Sequence, residues 1–410
     1  MTSRFLAFGF LTLMAGAFFV FGGKTIDIDP NEEKNIGAEL EAIKEERPDG
    51  DIENQKPLAS VPEDIKALYA TSYAAGTPSL MDEIIKTAEK TEINAIVIDL
   101  KDYSGYLGYN TDLEKPKEYL AVELRIKYLN KLIKELHDKN IYLIARIAVF
   151  QDPRLAKARP DLAVKNKEGE VWKDRKGLTW VDPNSKEAWD YNASIAEEAF
   201  NRGFDEVNFD YIRFPSDGNG VSGLVYPFWN KNEEEKRTVM KNFFRFLKEK
   251  FPERPISGDV FGQTTVDKED LGIGQVLEDA YDYFDYVAPM IYPSHFENGF
   301  IGYKNPAEYP EEVIKYSLQE AVKRIEEHEL LRQRDARNST TTPEMLLDEE
   351  KKVVRKKIRP WLQDFDLGAV YTPEMIRKEI TGVKEAGLID SWMIWNPKNV
   401  YKKETFLSEN

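Results

Sequence analysis

The sequence of 410 residues contains no cysteine, and this absence excludes several kinds of chemistry. Without thiols the chain forms no disulfide, no thiolate zinc site, no iron–sulfur cluster and no cysteine nucleophile. Histidine is almost as scarce, because His137, His295 and His328 are the only three and lie far apart in the sequence. That scatter argues against a histidine-rich metal centre. We therefore expect no cofactor and no metal at the active site, although Asp-rich loops could hold Ca²⁺ as a structural ion.

Positive charge is also in short supply. Lys and Arg number 57 against 73 Asp and Glu, which gives a formal net charge of −16 and an isoelectric point near 5.0. A chain with this charge repels polyanions, so nucleic acid is not an expected partner. Hydrophobic residues make up 41% of the sequence, which over 410 residues is enough for one large domain or two ordinary ones.

A long apolar run occurs at the N-terminus, over residues 1–24. It consists of Arg4, an uncharged apolar stretch from 5 to 23, and Lys24. The length lies between that of a signal-peptide core and that of a minimal membrane span, so the segment is predicted to be either an uncleaved membrane anchor or a cleaved signal peptide. Both alternatives export the rest of the chain, which is either membrane-anchored facing outside the cytoplasm or secreted.

The remainder of the chain divides into a linker and one large domain. Residues 25–60 are polar and acidic without a strand pattern, which indicates a disordered linker with one short helix near 37–45. From 61 to 403, β-rich runs alternate with amphipathic helical segments. A charged stretch rich in Ser and Thr, near 331–353, interrupts the alternation and is predicted to be an insertion.

Eight β-rich runs define the predicted architecture. They cover 67–73, 93–102, 141–150, 206–214, 255–262, 286–292, 357–365 and 390–396. Helical segments connect them, and one of these is predicted over 121–140, where apolar residues recur at helical spacing. Strands that alternate with such helices predict a parallel sheet, and eight repeats predict a closed (β/α)8 TIM barrel. A doubly wound open sheet is the alternative, but no glycine-rich phosphate turn follows any strand.

Polar side chains stand at nearly every predicted strand end, which is where a barrel of this kind builds its active site. Asp210 and Asp259, at the ends of the fourth and fifth strands, are predicted to be catalytic, because glycoside hydrolysis requires two carboxyl groups that flank the bond. Substrate-binding roles are predicted for nine other residues at these ends: Asp99, Lys101, Arg146, Asn208, Arg213, Tyr292, Trp361, Gln363 and Trp395.

The two aspartates are predicted to have different roles. Asp210 would act as nucleophile or base, with Arg146 or Arg213 beside it to keep the carboxylate ionised. Asp259 would act as general acid, because the apolar neighbours in "SGDVFG" are expected to raise its pKa. The alternative is a purely structural ion pair between Asp210 and Arg213.

Lys101 suggests another class of enzyme, since a lysine buried in a barrel can form a Schiff base with a carbonyl substrate. The acidic residues in "DLKD" favour a protonated ammonium instead, which argues for a substrate-binding role over an aldolase-type one. Both hypotheses place the side chain in the site.

Six motifs resemble those of a known family. They are "VIDLKDYSGYLGYNT", "ARIAVFQDP", "WVDPNSKEAWDYNASIAEEAFNRGFDEVNFDYIRFPSDG", "SGDVFGQTT", "DYVAPMIYPSHF" and "WMIWNP". In this order they resemble the bacterial glycosyl hydrolase family formerly called DUF4015, which belongs to the TIM-barrel glycosidase clan. The resemblance covers residues 65 to 400, and "FDYIRFP" is its most specific part. It implies a barrel and a carbohydrate substrate, with the usual strand-4 aspartate at Asp210 and that of the next strand at Asp259.

Taken together, these features predict an exported glycoside hydrolase that cleaves an extracellular or cell-envelope polysaccharide, or an oligosaccharide, by a two-carboxylate mechanism. An uncleaved N-terminal segment would add the membrane as a partner. The alternative is a non-catalytic glycan-binding or envelope scaffold protein on the same barrel.

Overall fold

The computed structural model describes residues 20–21, 24–25, 50–218, 220–336 and 345–407. Eight parallel strands form a closed ring, because each pairs with the next along the chain and the last pairs with the first. They are β1 (Lys66–Ala70), β2 (Ala95–Lys101), β3 (Tyr142–Ala148), β4 (Glu206–Asp210), β5 (Ile256–Phe261), β6 (Tyr286–Met290), β7 (Trp361–Gln363) and β8 (Trp392–Trp395). The predicted (β/α)8 TIM barrel is confirmed, and the open doubly wound sheet is wrong.

The strands are apolar on both faces because the sheet is covered on both sides. All seven residues of β2, "AIVIDLK", are buried, as is typical of a parallel strand beneath helices. Successive side chains alternate between the two faces. Tyr69, Val97, Ile144 and Met393 point into the barrel, where they form a compact inner core.

Helices cover the outside of the ring. They are α1 (Ser72–Ala75), α2 (Pro78–Ala88), α3 (Glu114–Glu118), α4 (Leu129–Asp138), α5 (Pro153–Ala158), α6 (Lys186–Arg202), α7 (Lys236–Lys250), α8 (Leu277–Tyr283), α9 (Pro310–Ala336), α10 (Asp348–Lys356) and α11 (Pro373–Glu385). Helix α6 begins where the Ser185 side chain accepts a hydrogen bond from the backbone N–H of Ala188. It ends at Gly203, whose left-handed backbone (φ 110°) closes the last turn.

The helix predicted over 121–140 is wrong in its first part. Val122–Ile126 forms a short strand that pairs with another, Leu107–Tyr109, and this second strand pairs antiparallel with the end of β2. Apolar and polar residues alternate over Val122–Ile126, which is the period of a strand. Helical spacing begins at Leu129, where α4 starts, so the short strand and the helix had been merged into one pattern.

A buried ion pair closes the barrel interior at the N-terminal ends of the strands. Nη1 of Arg359 lies 2.9 and 3.0 Å from the two carboxylate oxygens of Glu206. The hydroxyls of Ser257 and Tyr142 donate to the same carboxylate at 2.6 and 3.2 Å. Removal of one partner from a buried ion pair typically costs about 3–5 kcal/mol, so we regard this pair as a structural constraint on the barrel.

Parts of the N-terminal region lie outside the described residues. These parts include 26–49, with the short helix predicted near 37–45, and 1–19 of the apolar segment. The strands Val20–Phe21 and Lys24–Thr25 pair antiparallel. In the part of the chain that the structure describes, no helix is long and apolar enough to cross a membrane.

The described end of the predicted linker is attached to the barrel by hydrogen bonds. Residues 50–60 contain no helix or strand, but the backbone N–H of Leu58 donates to the Asp205 carboxylate at 2.6 Å. The charged stretch at 331–353 contains the end of α9 and the beginning of α10, and residues 345–347 before α10 are not helical. Residues 337–344, between these helices, lie outside the described residues.

Candidate active site

A cavity of about 450 Å³ lies at the C-terminal end of the barrel. Seven residues that the sequence predicts as catalytic or substrate-binding line it: Arg146, Asp210, Arg213, Asp259, Tyr292, Trp361 and Trp395. The structure therefore brings both predicted catalytic carboxyl groups to one hollow, although they belong to different strands.

Strand register explains why the charged side chains converge. Asp99 on β2 lies opposite Arg146 on β3, which in turn lies opposite Asn208 on β4. Side chains that are paired across neighbouring strands point to the same face of a sheet. Asp210 follows Asn208 by two positions and so points inward as well.

Arg146 is the centre of the acidic cluster. Its Nη1 donates to Asp99 Oδ1 at 2.6 Å, its Nη2 donates to Asp210 Oδ2, and its Nε lies 3.8 Å from Asp259 Oδ2. Burial alone would lower the pKa of Arg146, but the carboxylates of Asp99 and Asp210 raise it well above its usual value. The guanidinium is therefore a permanent positive charge inside the barrel.

Asp99 does not line the cavity, but it accepts a hydrogen bond from Arg146, which does. Its Oδ2 accepts a hydrogen bond from the hydroxyl of Tyr69 at 2.5 Å, while its Oδ1 faces Arg146. The Tyr69 ring stacks on Trp395 with a centroid separation of 3.9 Å. Asp99 was predicted to bind substrate, but these contacts give it the role of orienting the arginine.

Asp259 is buried among donors that hold one of its oxygens. Its Oδ1 accepts hydrogen bonds from Nδ2 of Asn208 and from Nε1 of Trp361, each at 2.8 Å. A proton on this carboxyl therefore belongs on Oδ2. Burial first, and the charge of Asp210 second, raise the pKa of Asp259 well above its usual range, while Arg146 and the two hydrogen bonds oppose the shift. The protonated form is favoured, as the apolar setting in the sequence suggested.

Asp210 has very different surroundings. One oxygen accepts from Arg146, and the other accepts from the backbone N–H of Tyr211 at 2.5 Å. Tyr211 has a left-handed backbone (φ 53°), a conformation that costs a non-glycine residue about 1–2 kcal/mol. Strain of this kind concentrates at functional sites, and here it directs a backbone donor at the carboxylate.

Arg213 does not pair with Asp210. Its Nη2 lies 3.7 Å from Asp217, and Arg146 is the cation that contacts Asp210. Among the described residues, the structural ion pair between Asp210 and Arg213 that was considered as an alternative is therefore absent. Arg213 nevertheless lines the cavity, a few residues beyond the end of β4.

Lys101 lies outside the cavity, although the sequence predicts it to bind substrate. The register between β2 and β3 shifts after Asp99, so that Lys101 lies opposite the outward-facing Ile147. Its ammonium contacts Asp152 at 2.7 Å and Asn192 of α6 at 2.9 Å, between the sheet and the helix. This geometry favours a structural ion pair and gives no support to Schiff-base chemistry in the cavity.

Two other predicted residues lie behind the cavity wall. Asn208 is fully buried and donates to Asp259 and to the Ser257 hydroxyl. Gln363 is also buried, and its Oε1 accepts from the hydroxyl of Ser294 at 2.8 Å. Both amides hold neighbouring parts of the site in place.

The structure adds lining residues that were not predicted. They include Lys176, Tyr211, Asp217, Phe261 and His295. Lys176 lies in the long segment between β3 and α6, where the sequence shows no periodic pattern that would place it near the site. In the described ranges, no group of three or more carboxylate or histidine side chains is arranged to hold a metal ion.

The fold and the cavity define a TIM-barrel protein with two unlike carboxyl groups in the C-terminal halves of adjacent strands. Residues 67–401 match the family DUF4015, described as "putative glycosyl hydrolase domain", and the chain belongs to this family. It therefore carries a glycosyl hydrolase-like domain. No curated protein matches the chain.

Solved structures with TM-scores of 0.56 and 0.50 share the barrel fold. The PgaB (BpsB) glycoside hydrolase domain from Bordetella bronchiseptica is 13% identical, with a TM-score of 0.56 over 85% of this chain and 100% of that chain. Alpha-L-fucosidase isoenzyme 2 from Paenibacillus thiaminolyticus is 11% identical, with a TM-score of 0.50 over 84% of this chain and 48% of that chain. A hypothetical protein from Ruminiclostridium thermocellum is 36% identical, with a TM-score of 0.43 over 50% of this chain and 98% of that chain.

The raised pKa of Asp259 predicts a pH-dependent stability. Between the ordinary carboxyl pKa of about 3.9 and the higher folded value, the unfolded chain loses this proton and the folded chain keeps it. The contribution of Asp259 is thus complete at low pH and declines with rising pH, by about 1.4 kcal/mol per unit. Urea unfolding from pH 4 to 8 should show Asp259→Asn gaining stability relative to wild type as pH rises.

Asp217→Asn is the matched control, because it removes an acidic group whose side chain is 62% exposed. Its difference from wild type over the same range gives the baseline against which Asp259→Asn is compared. A constant difference between wild type and Asp259→Asn would contradict a raised pKa at Asp259.

Proposed function

We propose that this protein is a glycoside hydrolase that cleaves O-glycosyl bonds of a polysaccharide or oligosaccharide, with Asp259 as general acid and Asp210 as nucleophile or base. The observation that supports this proposal is the contrast between the two carboxyl groups. Asp259 is buried with a raised pKa, and Asp210 is held by a guanidinium and a backbone N–H. A buried carboxyl group with a raised pKa, beside a second carboxyl group that a cation and a backbone N–H hold in place, matches the pair of groups that such hydrolysis needs.

Proton transfer to the leaving oxygen would start from Oδ2 of Asp259. The carboxylate that remains would keep its hydrogen bonds from Asn208 and Trp361. Arg146 Nε is buried without a hydrogen-bond partner and lies 3.8 Å from this oxygen. Loss of the proton would place a negative charge 3.8 Å from this nitrogen, so the arginine stabilises that charge as it develops.

Asp210 would act at the anomeric carbon of the bound sugar. An ionised carboxylate at this position either attacks the carbon directly or removes a proton from the water that does so. The contacts with Arg146 and with the backbone N–H of Tyr211 hold the carboxylate in one orientation. Orientation of this kind contributes to the rate because the reacting groups need no rearrangement.

Aromatic side chains supply apolar surfaces suited to sugar rings. Trp361 and Trp395 line the cavity edge to face, with ring centroids 5.6 Å apart and an interplanar angle of 84°. Tyr292 lines the same cavity. Trp392, three positions before Trp395, instead packs against Phe406 outside the barrel. This arrangement supports a carbohydrate as the ligand, with the partly exposed Trp395 as one of the contacting residues.

Substitution of either aspartate should abolish most of the activity. General acid–base groups contribute typically about 10²–10⁴-fold, so we expect Asp210→Asn and Asp259→Asn each to lose at least about 10²-fold in the release of reducing ends from envelope or extracellular polysaccharides. Asp364→Asn is the matched control, because Asp364 follows β7 but does not line the cavity and accepts a hydrogen bond from Asn396 at 3.0 Å.

The outcomes separate the two candidate functions. Wild-type turnover that survives in both aspartate variants would contradict the catalytic assignment. Glycan binding by wild type without any release of reducing ends would favour the non-catalytic glycan-binding or scaffold alternative.

We also propose that the protein is exported, on the basis of the apolar segment within residues 1–24. Residues 1–60 fused to an alkaline phosphatase reporter should give active enzyme outside the cytoplasm, because that reporter needs disulfides that form there. Leu11→Arg with Leu13→Arg should abolish the signal by interrupting the apolar run. Fractionation then distinguishes a membrane anchor from a cleaved signal, and an inactive parent fusion would contradict export.

A further inference from the structure

We propose that the cavity contains a subsite for an anionic substituent of the sugar, a carboxylate or a phosphate group, and that Arg213 and Lys176 form it. That the ligand is a sugar rests on the proposed function. That the sugar carries a negative charge rests on the geometry of these two cations.

Arg213 is held at the cavity wall with part of its guanidinium free. The group lies 4.8 Å from the Trp180 ring centroid and 4.7 Å from that of Phe261. Nη1 donates to the backbone carbonyl of Phe214 at 3.2 Å and to the Ser216 hydroxyl at 3.1 Å. Neither Nε nor Nη2 forms a hydrogen bond with any described residue, and the side chain lines the cavity. Two donors of one planar fork thus remain for a carboxylate or phosphate, which such a fork binds through both nitrogens.

The charge of Arg213 is poorly balanced inside the protein. Its ion-pair partner among the described residues is Asp217, at 3.7 Å, and the Asp217 side chain is 62% exposed. A contact of that length with a solvated carboxylate is weak. Burial lowers the pKa of Arg213, which reflects the cost of a cation that its surroundings do not neutralise. An anion in the cavity would reduce that cost.

Lys176 adds a second positive charge on the same cavity. It lies in the segment between β3 and α6, is exposed, and has no ion-pair partner in the described ranges. The nearest acid in sequence, Asp174, accepts from the backbone N–H groups of Lys176 and Leu178, each at 2.9 Å, and from Nε1 of Trp180 at 3.2 Å. Those contacts engage the Asp174 carboxylate within its own loop.

The contrast with Arg146 makes the assignment specific. Arg146 is already in contact with the carboxylates of Asp99 and Asp210, so an additional anion gains little there. Arg213 lines the same cavity with only the long contact to Asp217. The chain has a net charge of −16, yet two incompletely neutralised cations line one cavity. They indicate that the cavity binds an acidic sugar more tightly than a neutral one.

The test compares free glucuronate, glucose 6-phosphate and glucose, none of which contains a glycosidic bond to cleave. Affinities from ligand-observed NMR should show at least one anionic sugar binding wild type about tenfold or more tighter than glucose, as hydrogen bonds to a charged group provide. The preference should weaken as salt is added. Glucose 6-phosphate binding tighter than glucuronate assigns a phosphate, and the reverse order assigns a carboxylate.

Variants test whether Arg213 and Lys176 cause the preference for anionic sugars. Arg213→Gln should remove most of it, and Arg213→Lys, which keeps the charge without the fork, should retain part of it. Lys176→Gln should weaken it severalfold, whereas Lys173→Gln should leave it intact, because Lys173 is exposed in the same loop but does not line the cavity. The comparison of these two lysine variants keeps the test decisive if Arg213→Gln does not fold.

Equal affinity of wild type for all three sugars would overturn the subsite, and so would a preference that Arg213→Gln and Lys176→Gln both leave unchanged. Neither result bears on hydrolysis, since no bond is cleaved. Conversely, a protein without turnover that still prefers the anionic sugars would retain the subsite and lose the proposed function.

Discussion

The site depends on one guanidinium among three buried carboxyl groups. Arg146 contacts Asp99 and Asp210 directly and lies 3.8 Å from Asp259. One positive charge cannot neutralise three negative ones, and burial of unpaired carboxylates is costly. The cluster relieves the excess by favouring a proton on Asp259, which lacks a direct hydrogen bond from the arginine. Burial and the charge of Asp210 raise the pKa of Asp259, and Arg146, which contacts Asp210 directly, opposes that shift only in part.

The barrel positions this cation by simple periodicity. Alternation along the strands and register between them direct Asp99, Arg146, Asn208 and Asp210 to the inner face. The apolar inner core fills the space beneath them, and the Glu206–Arg359 pair closes the opposite end. Polar groups therefore occupy both ends of the barrel interior, but the cavity with the two catalytic candidates lies at the C-terminal end.

The same periodicity explains how far the sequence was informative. Alternating strands and helices predicted the barrel, and strand ends predicted seven residues of the cavity wall. Lys101 was misplaced because a shift in register after Asp99, which leaves no trace in composition, turns it outward. The partner of Asp210 stayed open between Arg146 and Arg213, because only the paired strands show that Arg146 reaches it. Lys176 was missed because its loop has no repeating pattern, and the strand Val122–Ile126 because a helix follows it at once.

The two arginines that line the cavity, Arg146 and Arg213, have different surroundings and different roles. Arg146 has its charge matched by acids within the barrel, and it orders the carboxyl groups. Arg213 is packed against the rings of Trp180 and Phe261 and makes only a long contact with Asp217. Its remaining donors are the ones that we propose bind the anionic ligand. Its location beyond β4, in a loop rather than in a strand, fits the general rule that barrels vary specificity through their loops.

The central claim is that Asp259 retains its proton under conditions in which ordinary carboxyl groups are ionised. The most direct measurement is the pH titration of aspartate side-chain carboxyl ¹³C resonances, with the Asp259 signal assigned by its loss in Asp259→Asn. We predict that this resonance titrates well above the ordinary value of about 3.9. Titration at or below that value would contradict it.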